Sequence, residues 1–331
     1  MPGGQFTVDA EDELRIRIHT ASRIRSFRLR LLLAVAFLFA APPALAQISI
    51  DYVTVGGPGN APDTTGFGSV ADIYQIGKFE VTNDQYAAFL NAKAAADPLE
   101  LYNQDMGSDP GGITRSGTSG NFTYSAIAGR EHKPVNFVSF YDGLRFANWL
   151  HNGQGDGETE TGAYRLADGP MVTRNPEATI FLPSENEWYK AAYYDADAEP
   201  PSYFEYPAGT DDTSCAVPGA AANTANCDDE VADLTDVGSY TNSASPNGSF
   251  DQGGNVLEWN ETILEGNLRG LRAGDFINNA SGLATSFGIG LAPSAEFETF
   301  GFRVASIPEP ESGLLQTTAL LVLLAWRKRC A

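Results

Sequence analysis

Three cysteines and three histidines are all that the 331 residues offer to a soft or nitrogen-ligated metal. A multi-bridge disulfide framework or a zinc ribbon is therefore excluded. Basic residues are scarce as well, with 21 Lys and Arg against 42 Asp and Glu. Between residues 47 and 311 the imbalance deepens to 12 against 38, a net charge of −26. Such a body repels polyanions, which removes nucleic acid from its partners, and it makes divalent cations natural ligands; a plain solvated acidic surface is the other reading. No apolar run reaches the ~20 residues that a spanning helix needs. No heptad pattern or fixed-period repeat occurs, so a coiled coil and a solenoid are excluded.

What is present begins at the ends. Arg23, Arg25, Arg28 and Arg30 run into the apolar stretch Leu31 to Ala40 and then Pro42-Pro43-Ala44-Leu45-Ala46. This is the pattern of a secretory signal peptide, with cleavage expected after Ala46. At the other end stand Pro308-Glu309-Pro310, an apolar run from Gly313 to Trp326 and the basic cluster Arg327-Lys328-Arg329. The expected division is residues 1–46 as N-terminal extension and signal peptide, 47–307 as one large domain, and 308–331 as a tail with a short membrane segment. Of the cysteines, Cys330 sits in that tail. Cys215 and Cys227 share one Gly/Ala/Asn/Asp-rich stretch of an exported chain, which reads as one local disulfide.

Three helices are expected. The first is capped by Thr82 or Asn83 and carries Tyr86, Phe89 and Leu90 on one face. The second starts at Ser139 with Asp142 three residues on and stops at Asn152-Gly153. The third opens with Ser184 and Glu187, a capping box. Strand-like runs precede them at Ile73–Val81, Val135–Val138 and Thr179–Leu182. Beyond residue 195, Gly, Asn, Asp, Ser and Pro dominate, with apolar islands at Val237–Tyr240, Val256–Trp259, Leu268–Phe276 and Phe300–Ala305. The fold class that follows is α+β with low regular secondary structure and long ordered loops. Loops of such length call for metal ions or side-chain networks to hold them.

Five segments in order carry a resemblance: Phe79-Glu80-Val81-Thr82-Asn83, Pro134-Val135-Asn136-Phe137-Val138-Ser139-Phe140, Phe181-Leu182-Pro183-Ser184-Glu185-Asn186-Glu187-Trp188, Gly254-Asn255-Val256-Leu257-Glu258-Trp259 and Gly301-Phe302-Arg303. Together they resemble the formylglycine-generating-enzyme (sulfatase-modifying factor) family, over about Asp51 to Ala305. The resemblance implies a variant of the C-type lectin fold with bound calcium. It places calcium ligands at Asp251 and Glu258 (side chains) and Gly254 and Val256 (carbonyls), a donor set of the hard-oxygen kind that calcium takes. The alternative for Glu258 is a buried carboxylate hydrogen-bonded by loop groups. A second calcium site is implied near Asn223 or Asn226, with an acid from Asp228 to Asp236. The C-terminal tail resembles a PEP-CTERM sorting segment, which implies transient anchoring in the inner membrane, an exosortase-type partner, and release to the outer surface or matrix.

Enzymatic members of the family hold copper(I) on two cysteines with four residues between them, because soft thiolates suit that ion. The resemblance places Asn278 and Leu283 at those positions, so copper chemistry is not expected and no catalytic residue is assigned. Iron-dependent relatives use a histidine cluster, whereas here His132 and His151 stand nineteen residues apart without its motif, so iron is not expected either. Trp149, Trp188 and Trp259 read as core. Two functions stay open: a calcium-stabilised, non-catalytic surface or matrix module binding polysaccharide or protein, or a metal-dependent oxidoreductase acting on a protein or small molecule.

Overall fold

A computed structural model describes residues 47–308. The expected signal peptide and sorting tail lie outside the described residues. Among the described residues, no helix is long and apolar enough to cross a membrane.

Among the described residues three α-helices form, each nucleated by a capping box that satisfies two otherwise orphaned amides. α1, Asn83–Lys93, is capped by Thr82 with Gln85 returning the bond. α2, Phe140–His151, is capped by Ser139 and Asp142. α3, Glu185–Tyr193, is capped by Ser184 and Glu187. The apolar faces of α1 and α2 meet in one aromatic core: Phe146 of α2 stacks near Tyr86 and meets Phe89 of α1 edge-on at 5.5 Å between centroids, and Phe302 also edge-on at 5.4 Å, while Trp188, Tyr189 and Tyr193 of α3 form a cluster of their own. Gly143 lets α2 lie close to this layer, since a Cβ there would stand 3.3 Å from Leu182.

Two four-stranded sheets frame the helices. In the first, Tyr74–Gly77 pairs antiparallel with Tyr52–Val55 on one side and with Ala305–Ser306 on the other, and Ile180–Phe181 completes the edge. In the second, Leu257–Leu264 and Leu268–Arg272 form an antiparallel pair, flanked by Ile289–Leu291 and by the parallel strand Phe300–Gly301. Three further two-stranded pieces are scattered through the loops. The mixed, loop-rich architecture with few helices is the one expected from the sequence. One local expectation fails. Val135–Val138, buried apart from the partly exposed Phe137, makes no strand, because Phe137 takes a left-handed backbone (φ 56°) that breaks the pleat. Of the apolar islands, Val237–Tyr240 contributes only an isolated bridge from Tyr240, with Gly238 at φ 74°. The expected disulfide, Cys215 to Cys227, is formed.

Candidate functional site

The turn before Leu257–Leu264 is shaped by three left-handed residues, Asp251 (φ 59°), Gly254 (φ 84°) and Asn255 (φ 63°). Gly254 is required there, because a side chain would collide with the carbonyl of Asn226. The turn delivers Glu258 into the interior, where it is fully buried. Its Oε2 accepts from the Trp188 indole at 2.7 Å and from Arg303 Nε at 2.6 Å, and its Oε1 accepts from Arg303 Nη2 at 2.6 Å. This is the bidentate geometry in which an arginine–carboxylate pair is strongest. The guanidinium also donates to the carbonyls of Gly77 and Phe250, at 3.0 and 2.9 Å.

Two more carboxylates crowd this pair. Glu80 is buried, with Oε1 accepting from Asn255 at 3.1 Å, while Oε2 has no hydrogen-bond partner and lies 4.0 Å from Arg303. Burial, and then the charge of Asp251, push the Glu80 carboxyl well above its ordinary range. Asp251 accepts from the Gly238 amide at 2.6 Å, and burial pushes its carboxyl up to about 6. One cation thus serves three acids.

The four expected calcium positions, Asp251, Gly254, Val256 and Glu258, do come together in this single segment. Glu258, however, has both oxygens committed to Arg303 and Trp188, so the guanidinium supplies the positive charge that an ion would bring. Among the described residues, no group of three or more His, Cys, Asp or Glu is arranged to hold a metal. Both Glu258 oxygens are engaged by hydrogen bonds in this geometry, which is the arrangement of a buried, hydrogen-bonded carboxylate. Asn226 offers something different. It is buried, its amide nitrogen donates to the Asp233 carbonyl at 2.9 Å and to Asn255 Oδ1 at 3.2 Å, and its Oδ1 is left without a partner. The other candidate, Asn223, already donates to Thr210. Among the acids expected nearby, Asp233 is paired with Arg130 at 2.8 Å and approached by Lys133 at 3.7 Å.

Strand Leu268–Arg272 leads through Ala273 (φ 90°) and Gly274 (φ 65°) into the segment expected to carry the copper positions. Asp275 is buried and accepts from the amides of Ile277 and Asn278 at 3.1 and 2.9 Å, a side-chain turn that fixes the loop. Asn278 Oδ1 is buried and unpartnered. Leu283 is buried in a small apolar cluster with Ala225 and Cys227, against which Cys215 packs, and its carbonyl accepts from Tyr193 at 3.1 Å. The Asp228 amide donates to the Asn278 carbonyl at 2.8 Å, tying the residue after Cys227 to the same loop. Sequence separation of more than fifty residues hid this contact between disulfide and Leu283, and no sequence signal announces it. The histidines stay apart from it: His151 closes α2 and bonds Thr179, and only the His132 carbonyl takes part in a loop bond, to Val237.

A family profile described as the sulfatase-modifying factor enzyme 1-like domain matches residues 65–307. The chain belongs to this family. No curated protein matches its sequence. Among solved structures it is similar to CarF, at 23% identity and TM-score 0.52 over 79% of this chain and 99% of that one. It is also similar to PvdO from Pseudomonas aeruginosa, at 19% identity and TM-score 0.42 over 78% and 92%. Treponema denticola variable protein 1 gives 19% and 0.49 over 80% and 98%. Within this sulfatase-modifying-factor domain the sequence landmarks acquire a common purpose. Glu80 from the first, Trp188 from the third, Asn255 and Glu258 from the fourth and Arg303 from the last meet in the one buried network described above. Trp259 and Trp149 are buried too, donating to the carbonyls of Val138 and Gly155.

Proposed function

We propose that this protein is an exported, non-catalytic member of the sulfatase-modifying-factor family, a variant of the C-type lectin fold that binds polysaccharide or protein at the cell surface or in the matrix. The observation that carries the reading is the packing at Leu283. Where the resemblance places a copper-binding thiolate, an alkyl side chain fills the space against Ala225 and the Cys215–Cys227 disulfide. Neither that leucine nor the amide of Asn278 donates a soft electron pair, and disulfide sulfurs offer no thiolate. The test is incubation of the purified protein with copper, reductant, oxygen and a Cys-x-Pro-x-Arg peptide. No aldehyde is expected by mass spectrometry; turnover lost on copper removal would overturn the reading.

Calcium enters the proposal through Asn226. A buried amide oxygen without a partner suits a hard cation, which would knit loop 223–236 to the turn at 251–255. Export by the signal sequence of residues 1–46, transient inner-membrane anchoring by residues 308–331 and cutting near Pro308-Glu309-Pro310 by an exosortase-type enzyme complete the picture. Mass spectrometry of released protein decides that part: an intact Cys330-Ala331 terminus would refute it.

A further inference from the structure

We propose that an open groove beside the first turns of α2 is a subsite for a neutral hexopyranose unit of a polysaccharide. The proposal rests on the binding-module reading and gives it an address.

The groove has a volume of about 310 Å³ and lies between α2 and the 3₁₀ segment Leu166–Met171. That is the low end of the ~300–1,000 Å³ typical of small-molecule sites. It suits a single ring with the rest of the chain in solvent. Tyr141 on α2 contributes a half-buried aromatic wall, packed on the core through Phe140 with centroids 6.1 Å apart, and Leu166 is buried alongside. Opposite chemistry sits within reach. Arg145 Nε donates to Glu160 Oε1 at 2.7 Å, which ties guanidinium and carboxylate together at the groove. Only one edge of each group is used by that bond. Among the described residues, Glu160 Oε2 and Arg145 Nη2 have no hydrogen-bond partner, and the Thr161 hydroxyl is exposed at the rim.

An apolar face beside a donor–acceptor pair matches a pyranose, whose C–H face is apolar and whose vicinal hydroxyls are both donors and acceptors. Charge argues for a neutral sugar. The groove's cations are Arg145 and Arg165, the latter exposed and 3.9 Å from Asp168, while Asp142 stands 3.7 Å from Arg145. These acids and Glu160 leave no net positive charge to hold a carboxylate, and the domain around them is strongly acidic. Nothing here demands calcium or the copper positions, so the subsite is independent of both.

Affinity electrophoresis of the purified protein in gels containing dextran, galactomannan or arabinoxylan, with alginate as the acidic comparison, tests this. Retardation by at least one neutral polymer is expected. Tyr141→Ala and Glu160→Gln should each weaken it about tenfold, the scale of one lost aromatic or hydrogen-bonded contact, with melting temperatures unchanged. Glu160→Gln keeps the size of a partly exposed side chain and an oxygen that can accept from Arg145, so it reads binding even where Tyr141→Ala is poorly folded. Retardation that survives both substitutions overturns the groove while leaving the binding-module reading intact. So does retardation by alginate alone. Failure of every polymer to retard the protein overturns the groove and removes polysaccharide from the module reading.

Discussion

Around Arg303, a guanidinium and three carboxylates lie buried together; around Leu283, a leucine, an alanine and a disulfide do. The first is built from segments through which the family was recognisable and the second from the loops beside them, and they adjoin the same turn, since Gly254 donates to Ala273 and Phe276 to Asn255. Yet only the first keeps the residues that the resemblance leads one to expect. The polar network closes the fold, joining the first and last landmarks across 223 positions from Glu80 to Arg303. The loop at Leu283 is also tied to distant segments, but through a hydroxyl, a backbone amide and apolar packing, with no buried ion pair among the described residues there. Fold and chemistry in such a domain rest on different residues, so membership of a family does not fix an activity.

The comparison is broken most forcefully at Arg303. Arg303→Met leaves Glu258 buried without its cation beside Glu80 and Asp251, and removing one partner of a buried pair costs about 3–5 kcal/mol. Urea denaturation should show a loss of that size or outright failure to fold; a loss near zero would mean that the carboxylates are neutralised by something else.

A second buried acid sharpens the same rule. Burial pushes Asp142 up to about 7, against the opposing hydrogen bonds from Ser139. Because the folded value lies above the unfolded one, this carboxyl contributes stability in full below about pH 4, and that contribution is lost as pH rises toward 7. A shift of this size corresponds to about 4 kcal/mol. The melting temperature of wild type should therefore fall between pH 5 and pH 8 by more than that of Asp142→Asn; equal slopes would show that the acid titrates normally.

At the other neighbourhood, Leu283→Ala should cost about 2–4 kcal/mol by opening a cavity against the disulfide. Replacing Cys215 and Cys227 by serine should cost about 2–3 kcal/mol, given their separation of 12 residues. Because the side chains touch, the combined variant should lose less than the sum of the two. Strict additivity in chemical denaturation would contradict the contact.

The smallest effect expected is that of calcium. A ligand at a hundredfold excess over its dissociation constant adds ~2.7 kcal/mol. Chelator should lower the melting temperature by several degrees, and Asn226→Ala should abolish the difference while Glu258→Gln, which acts on Arg303, should not. An unmoved wild-type curve would remove calcium from the proposal.

What the sequence made legible was local. Ser139 with Asp142 and Ser184 with Glu187 announce helix starts because a capping box is written within four residues. Thr82 was one of two candidates, and the bond from the Gln85 amide selects it. Phe137 hid its left-handed backbone, since a bulky residue at positive φ is held there by its surroundings, not by its own preference. Glu258 and Arg303 were each conspicuous as landmark residues, but nothing in the one marks it as the partner of the other. That pairing is a product of the second sheet and the last strand coming together. It gives Glu258 the surroundings of a buried, hydrogen-bonded carboxylate, one of the two readings that the sequence had left open.

The first sheet has a mechanical consequence. Tyr52–Val55 and Ala305–Ser306 both pair antiparallel with Tyr74–Gly77, so the first and last strands in sequence of the described domain run in the same direction on either side of one strand. The leading chain enters opposite Gly77 and the trailing chain departs past Gln75. Force applied between the two ends pulls them in opposite senses along the sheet and loads its hydrogen bonds in shear, together instead of one after another. Resistance to such a pull is governed by the unfolding rate, not by equilibrium stability. A domain strung between a surface and a bound polymer would thus meet tension along the sheet's stiffest direction.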